Sequence, residues 1–136
     1  MSALSELSPL LSPEEAQMLS PLQLAYVGDS VHALLVRTGL VRKNWRVKDM
    51  HRAANEAVSA ISQAKELQAL YPLLTEAEEA IVKRGRNAHP HHSAPKSAST
   101  GEYAGATGLE ALLGYLYLTG QTDRLKALLP YINTEE

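Results

Sequence analysis

Two stretches of this chain read as helices that are apolar almost all the way round, and each carries a single acid. Winding residues 21–38 at 100° per residue puts Leu24, Val27, Val31, Leu34 and Leu35 on one face. Leu22, Tyr26, Ala33 and Val36 fall on the other, with Asp29 among them. Residues 107–119 repeat the arrangement: Leu109, Leu112, Leu113 and Leu116 form the main face, Ala111, Tyr115 and Leu118 fill much of the rest, and Glu110 is the only charge. A helix without a polar face has to be enclosed by others, so the chain is expected to form a helical bundle around these two. Each then carries its carboxylate where burial is expensive.

An unpaired buried carboxylate must find an ion pair, a hydrogen bond, a proton or a metal. Small residues surround both acids: Gly28 is adjacent to Asp29 with Ala25 and Ala33 one turn away, and Gly114 lies one turn beyond Glu110. If the two helices cross near Gly28 and Gly114, their backbones approach and the carboxylates converge. The chain has no cysteine, so a metal would sit on carboxylate or imidazole, which favours a hard ion such as Mg²⁺. Mg²⁺ takes one or two carboxylates, several waters and substrate phosphate oxygens, a set suited to hydrolysis of a phosphodiester by metal-activated water. The alternative is structural: Asp29 pairs with Arg37 or His32, and Glu110 is a surface acid favoured by the dipole at a helix start.

The 136 residues, 14.8 kDa, fit one domain, expected to span 1–136 with its core over about 18–130. With 45% apolar and 21% charged residues the composition is that of a globular protein. No apolar run is long enough for a membrane span and the first residues have no signal-peptide pattern, so the expected location is the cytoplasm. The net charge of −2 conceals a segregation of the cations. From Ser30 to Lys48 there is no acid but Arg37, Arg42, Lys43, Arg46 and Lys48 around Trp45, and from Ala80 to Gly101 no acid but Lys83, Arg84, Arg86 and Lys96. Acid-free basic segments in a mildly acidic chain are what a phosphate-tracking surface needs, although a solvated face balancing acids elsewhere would read the same way.

The punctuation is helical throughout. Ser12-Pro13-Glu14-Glu15 is a capping box opening a helix to about Leu19, and Ser20-Pro21 opens a second to about Thr38, stopped by Gly39. A third is expected from Val47 to Leu70 with Val47, Met50, Ala54, Val58, Ile61 and Ala64 on one stripe and a polar opposite face. Thr75-x-x-Glu78 opens a fourth, ending at Lys83-Arg84 before Gly85. Residues 86–106 read as a long functional loop, followed by a helix from Thr107 to Thr119 stopped by Gly120 and a last one capped by Thr122. No strand or fixed-period repeat emerges, and the expected class is all-α.

At the two acidic helices a resemblance enters. Leu24-Ala25-Tyr26-Val27-Gly28-Asp29-Ser30-Val31 resembles the signature helix of ribonuclease III catalytic domains, and the run Gly108-Leu109-Glu110-Ala111-Leu112-Leu113-Gly114-Tyr115-Leu116-Tyr117-Leu118 resembles their second acidic helix. With Lys83-Arg84-Gly85-Arg86-Asn87-Ala88, Pro95-Lys96 and no double-stranded RNA-binding domain, residues 18 to about 130 resemble the Mini-ribonucleases III. The resemblance implies a helical homodimer with the ribonuclease III endonuclease fold that cuts double-stranded RNA with Mg²⁺, Mn²⁺ substituting, and leaves 5′-phosphate ends. The implied substrate is a 23S ribosomal RNA precursor. It implies catalytic and metal-binding roles for Asp29 and Glu110, and RNA contacts at Lys83, Arg84, Arg86, Asn87 and Lys96. Larger ribonucleases III carry further acids where this chain has Ala25 and Thr107, and Mini-ribonucleases III are similar in lacking them. Thr100 to Ala106 departs from the pattern, with Glu102-Tyr103-Ala104-Gly105 in place of a Tyr- and Arg-rich run.

Other readings compete. His89, His91 and His92 match no tetrahedral zinc spacing and read as loop residues near RNA. His32, one turn after Asp29, reads as a packing residue. A non-catalytic helical RNA-binding or ribosome-assembly factor is the alternative to a nuclease, and a metal-dependent nucleotide hydrolase ranks last because the chain has no clustered Glu-x-x-Glu helix. No nucleophile elbow, P-loop or dinucleotide fingerprint is present.

Overall fold

The computed structural model describes residues 10–88 and 100–132. Helices α1 (Pro13–Gln17) and α2 (Pro21–Val41) begin on the two Ser-Pro signals. Ser12 and Ser20 accept from the backbone N–H of Glu15 and Gln23, whose side chains accept from the two cap N–H groups in return. There follow α3 (Val47–Ala57), α4 (Ala60–Leu70), α5 (Glu76–Asn87), α6 (Thr100–Leu118) and α7 (Thr122–Leu128), with 3₁₀ turns at Tyr71–Leu73 and Leu129–Tyr131. Thr75 and Glu78 form the expected capping box of α5, and Gly120, at φ 72°, ends α6 where expected. Among the described residues there is no strand, and the all-α class is as expected. None of the helices is long and apolar enough to cross a membrane.

α6 is the axis of the bundle. Gly105 through Leu109 and Ala111 through Leu116 are buried, as an all-round apolar helix requires, and α2, α5 and α4 pack about it. Contact with α2 is backbone to backbone. A Cβ on Gly28 would stand 1.6 Å from the Glu110 carbonyl oxygen, and one on Gly114 2.0 Å from that of Leu24. The two helices therefore cross at these glycines, as the small residues around the acids suggested. Arg124 of α7 ties the last helix to α5 through Glu78, at 2.7 and 2.8 Å, and donates to the Leu73 carbonyl.

Tertiary packing overrides several local expectations. The loop expected over residues 86–106 is helical at both ends: α5 runs through Gly85 to Asn87, and α6 starts at Thr100. Gly85 is spent on close packing rather than on a stop, since a Cβ there would meet Gly108 of α6 at 2.9 Å. Gly101 and Gly105 weaken helix propensity, yet Gly105 is buried against Ala64 of α4 and that packing prevails. Residues 89–99, and with them His89, His91, His92 and Lys96, lie outside the described residues.

The single helix expected over Val47–Leu70 breaks at Val58–Ser59, where Ser59 caps α4 by accepting from Ser62 N–H at 3.2 Å. α2 passes Gly39 and runs to Val41. Its expected enclosure on all sides is not found: Leu24, Ala25, Gly28, His32, Val36 and Leu40 are buried, but Tyr26 is 83% and Leu34 49% exposed. The buried line follows Gly28 because that glycine sets the α6 contact. Val27, Val31, Leu34 and Leu35 instead rim an open groove of 470 Å³ shared with Tyr117, Leu125 and Leu129.

Candidate active site

Asp29 and Glu110 arrive from opposite sides of the Gly28–Gly114 crossing, one on α2 and one midway along α6. Their surroundings differ. Asp29 is exposed, contrary to the burial expected of it, because its side of α2 is uncovered; Glu110 is half-buried. The start of α6 at Thr100 removes Glu110 from the first helical turn, so the surface-acid alternative does not apply. His32 is fully buried, and its Nε2 is 2.7 Å from Glu66 Oε1, so it is a packing residue bonded to α4 rather than the partner of Asp29.

Burial pushes the Glu110 carboxyl up to about 7; the Gln63 amide pulls it back and the nearby negative charge of Asp29 raises it further. A carboxyl whose ionisation is disfavoured by burial and by a neighbouring acid forms a site for positive charge. Gln63 Nε2 donates to Glu110 Oε2 at 3.1 Å and to the Val58 carbonyl at 3.0 Å, while its Oε1 is buried without a hydrogen-bond partner. Among the described residues no group of three or more acidic or imidazole side chains converges. Two carboxylates beside a buried, unpartnered amide oxygen fit Mg²⁺, which retains several waters and needs few protein ligands. They do not fit zinc, which wants four close ligands.

Gln63 and Glu66 were not legible as site residues. A continuous helix over Val47–Leu70 puts them on the polar outer face, whereas the break at Ser59 re-phases α4 and turns both inward. The cations Lys83 and Arg86, with the neutral Asn87, are exposed on the last turns of α5. Arg84 is exposed too, but its guanidinium donates to the carbonyls of Leu19 at 3.1 Å and Gln17 at 3.5 Å, bracing the end of α1. Arg42, Arg46 and Lys48 are exposed near Trp45, over which Lys43 Nζ lies 4.9 Å from the ring centroid.

This arrangement has counterparts. Residues 22–121 match the ribonuclease III domain family. The chain is similar to the Mini-ribonuclease 3 of Symbiobacterium thermophilum, 52% identical over 112 residues that cover 82% of this chain and 85% of that protein. It is also similar to the Mini-ribonuclease 3 of a Thermoanaerobacter species, 44% identical over 130 residues, 95% of this chain and 91% of that one. A crystal structure of a Fusobacterium nucleatum protein superposes with a TM-score of 0.77 at 26% identity, covering 86% of this chain and 93% of that one. With the matched family spanning both acidic helices and their crossing, the chain belongs to the ribonuclease III family and is an endoribonuclease.

Proposed function

We propose that this endoribonuclease is Mg²⁺-dependent and cuts double-stranded RNA, with Asp29 and Glu110 as its catalytic, metal-holding carboxylates. The observation that carries the reading is their convergence across the glycine crossing, where burial and mutual repulsion leave Glu110 in need of a cation. When bound, Mg²⁺ lowers the pKa of a water and polarises the phosphate, giving 5′-phosphate and 3′-hydroxyl ends. The protein's part is positional. Glu110 is held from behind by the Gln63 amide, and Asp29, on the open side of α2, would hold the ion from the solvent side, where the phosphate approaches. Lys83, Arg86 and Asn87, exposed at the end of α5, contact backbone phosphates and 2′-hydroxyls, which suits A-form RNA read by shape. Arg84 and Lys96 belong to the same proposed contact set, Arg84 doubling as the brace of α1.

The working form is a homodimer. Leu22, Tyr26 and Leu34 expose a large apolar face on α2 beside the groove, and such a patch is normally covered by a partner. The dimer thereby presents two sites, one for each strand. The substrate implied by resemblance to the Mini-ribonucleases III is a 23S ribosomal RNA precursor, and the expected compartment is the cytoplasm. The deciding experiment incubates purified protein with long double-stranded RNA, with and without Mg²⁺, beside Asp29→Asn. Metal-dependent cutting lost in the variant is the expected result; RNA that is bound but never cut would overturn the assignment.

A further inference from the structure

Of the four buried side chains on α4, two are polar: Gln63 and Glu66, with Leu67 and Leu70 the others. A core helix gains nothing from buried amides and carboxylates unless each has a partner with work to do. The bonds of Gln63 are specific. Its Nε2 bridges two acceptors, the Val58 carbonyl and Glu110 Oε2, so the amide can be oriented only with its nitrogen toward them. The helix break supplies the first of these acceptors. In a continuous helix the Val58 carbonyl would take the Ser62 N–H, but Ser59 Oγ takes that N–H instead and Gln63 fills the place. One turn on, Glu66 is bonded to His32, which stands one turn past Asp29 on α2. α4 is thus bonded through one side chain to the helix of Glu110 and through the other to the helix of Asp29.

We infer that Gln63 is a positioning residue for the acidic pair: it pins one Glu110 oxygen and the Val58 carbonyl together, leaving the rest of the carboxylate for the cation shared with Asp29. The inference rests on the assignment of Asp29 and Glu110 as metal-holding groups. The Glu66–His32 bond fixes α4 against α2, so that Gln63 is presented at constant height along α6. The unpartnered Gln63 Oε1 adds a buried acceptor beside the site for the hydration shell of an ion. Outer hydrogen bonds of this kind set ligand orientation, and their loss typically weakens metal affinity about 10- to 100-fold.

Gln63→Met keeps the length of the side chain and removes its donors. Wild type, Q63M, E110Q and the double variant are titrated with Mg²⁺ in two assays: thermal stability without RNA, and cleavage of double-stranded RNA. The Mg²⁺ concentration for half-saturation in Q63M should rise about 10- to 100-fold in both, with the cleavage rate at saturating Mg²⁺ nearly unchanged. In E110Q the stabilisation by Mg²⁺ should vanish, and adding Q63M should alter nothing further. Q63M with a lowered urea midpoint but an unmoved Mg²⁺ response would make Gln63 merely structural and overturn the inference. E110Q that still cuts and is still stabilised by Mg²⁺ would overturn the site assignment itself. Gln63→Asn, an amide one methylene too short, carries the same expectation if Q63M does not fold, and a wild-type Mg²⁺ response in it would equally refute the inference.

Discussion

Replacing Glu110 by Gln should stabilise the metal-free protein above neutral pH and leave it nearly unchanged in acid. The Glu110 carboxyl is raised from 4.5 to about 7, chiefly by burial, with Gln63 opposing and Asp29 adding to the rise. For an acid raised on folding, the protonated form carries the stability: it is fully present below about 4.5 and is lost as the pH climbs through 7. At about 1.4 kcal/mol per pKa unit, ionising Glu110 in the folded state without a cation costs on the order of 3 kcal/mol above pH 8. Glutamine is isosteric and uncharged, and its side-chain oxygen can still accept from Gln63. Urea unfolding in chelator should therefore show E110Q within about 0.5 kcal/mol of wild type at pH 4 and roughly 2–3 kcal/mol more stable at pH 8.5. Mg²⁺ should close the gap by stabilising wild type and not the variant. An equal stability difference at the two pH values would refute the claim that burial beside Asp29 perturbs this carboxyl.

Other outcomes follow from the packing and the surface. Gly28→Ala puts a Cβ 1.6 Å from the Glu110 carbonyl oxygen, so α2 and α6 must part by roughly 2 Å to reach normal contact. A loss of about 3 kcal/mol or more is expected in urea unfolding, together with loss of cleavage, since the two acids separate with their helices. Arg124→Met leaves Glu78 buried without its guanidinium. Burial alone would raise the Glu78 carboxyl, and the Arg124 hydrogen bonds hold it below the usual range. Because Arg124 is itself partly exposed, the expected loss is roughly 2–3 kcal/mol at pH 7, shrinking as the pH falls and Glu78 protonates. Lys83→Ala and Arg86→Ala should each weaken binding of double-stranded RNA irrespective of sequence and lower the salt slope by about one, measured by gel shift across salt concentrations; an unchanged slope would place the RNA elsewhere. Tyr26→Asp should leave the fold intact and yield monomer in sedimentation, and a dimer that persists would locate the interface off the exposed face of α2.

Helix starts were legible because capping is local: Ser12, Ser20 and Thr75 each bond within three residues of themselves. Helix ends were less so. Gly39 and Gly85 have the composition of stops, but Gly85 is consumed by the contact with Gly108, a partner 23 positions away that no local rule sees. The break at Ser59 was missed for a related reason, since Val58 and Ser59 carry no Gly or Pro and the interruption is held by bonds from Ser62 and Gln63. That error hid Gln63 and Glu66 on the wrong side of α4.

The two acids themselves stood out because each is the lone acid of an otherwise apolar helix, and the glycines beside them announced a close crossing. Periodicity could place Asp29 and Glu110 on their helices, each next to a small residue, since 100° per residue is a property of the backbone alone. Which flank of α2 would be covered, and hence that Asp29 faces the open side while Glu110 is half-buried, depended on where α6 docks. A helix apolar on two faces has no preferred side until a neighbour occupies one, and that choice is made by shape complementarity across the whole bundle rather than by any residue on the helix.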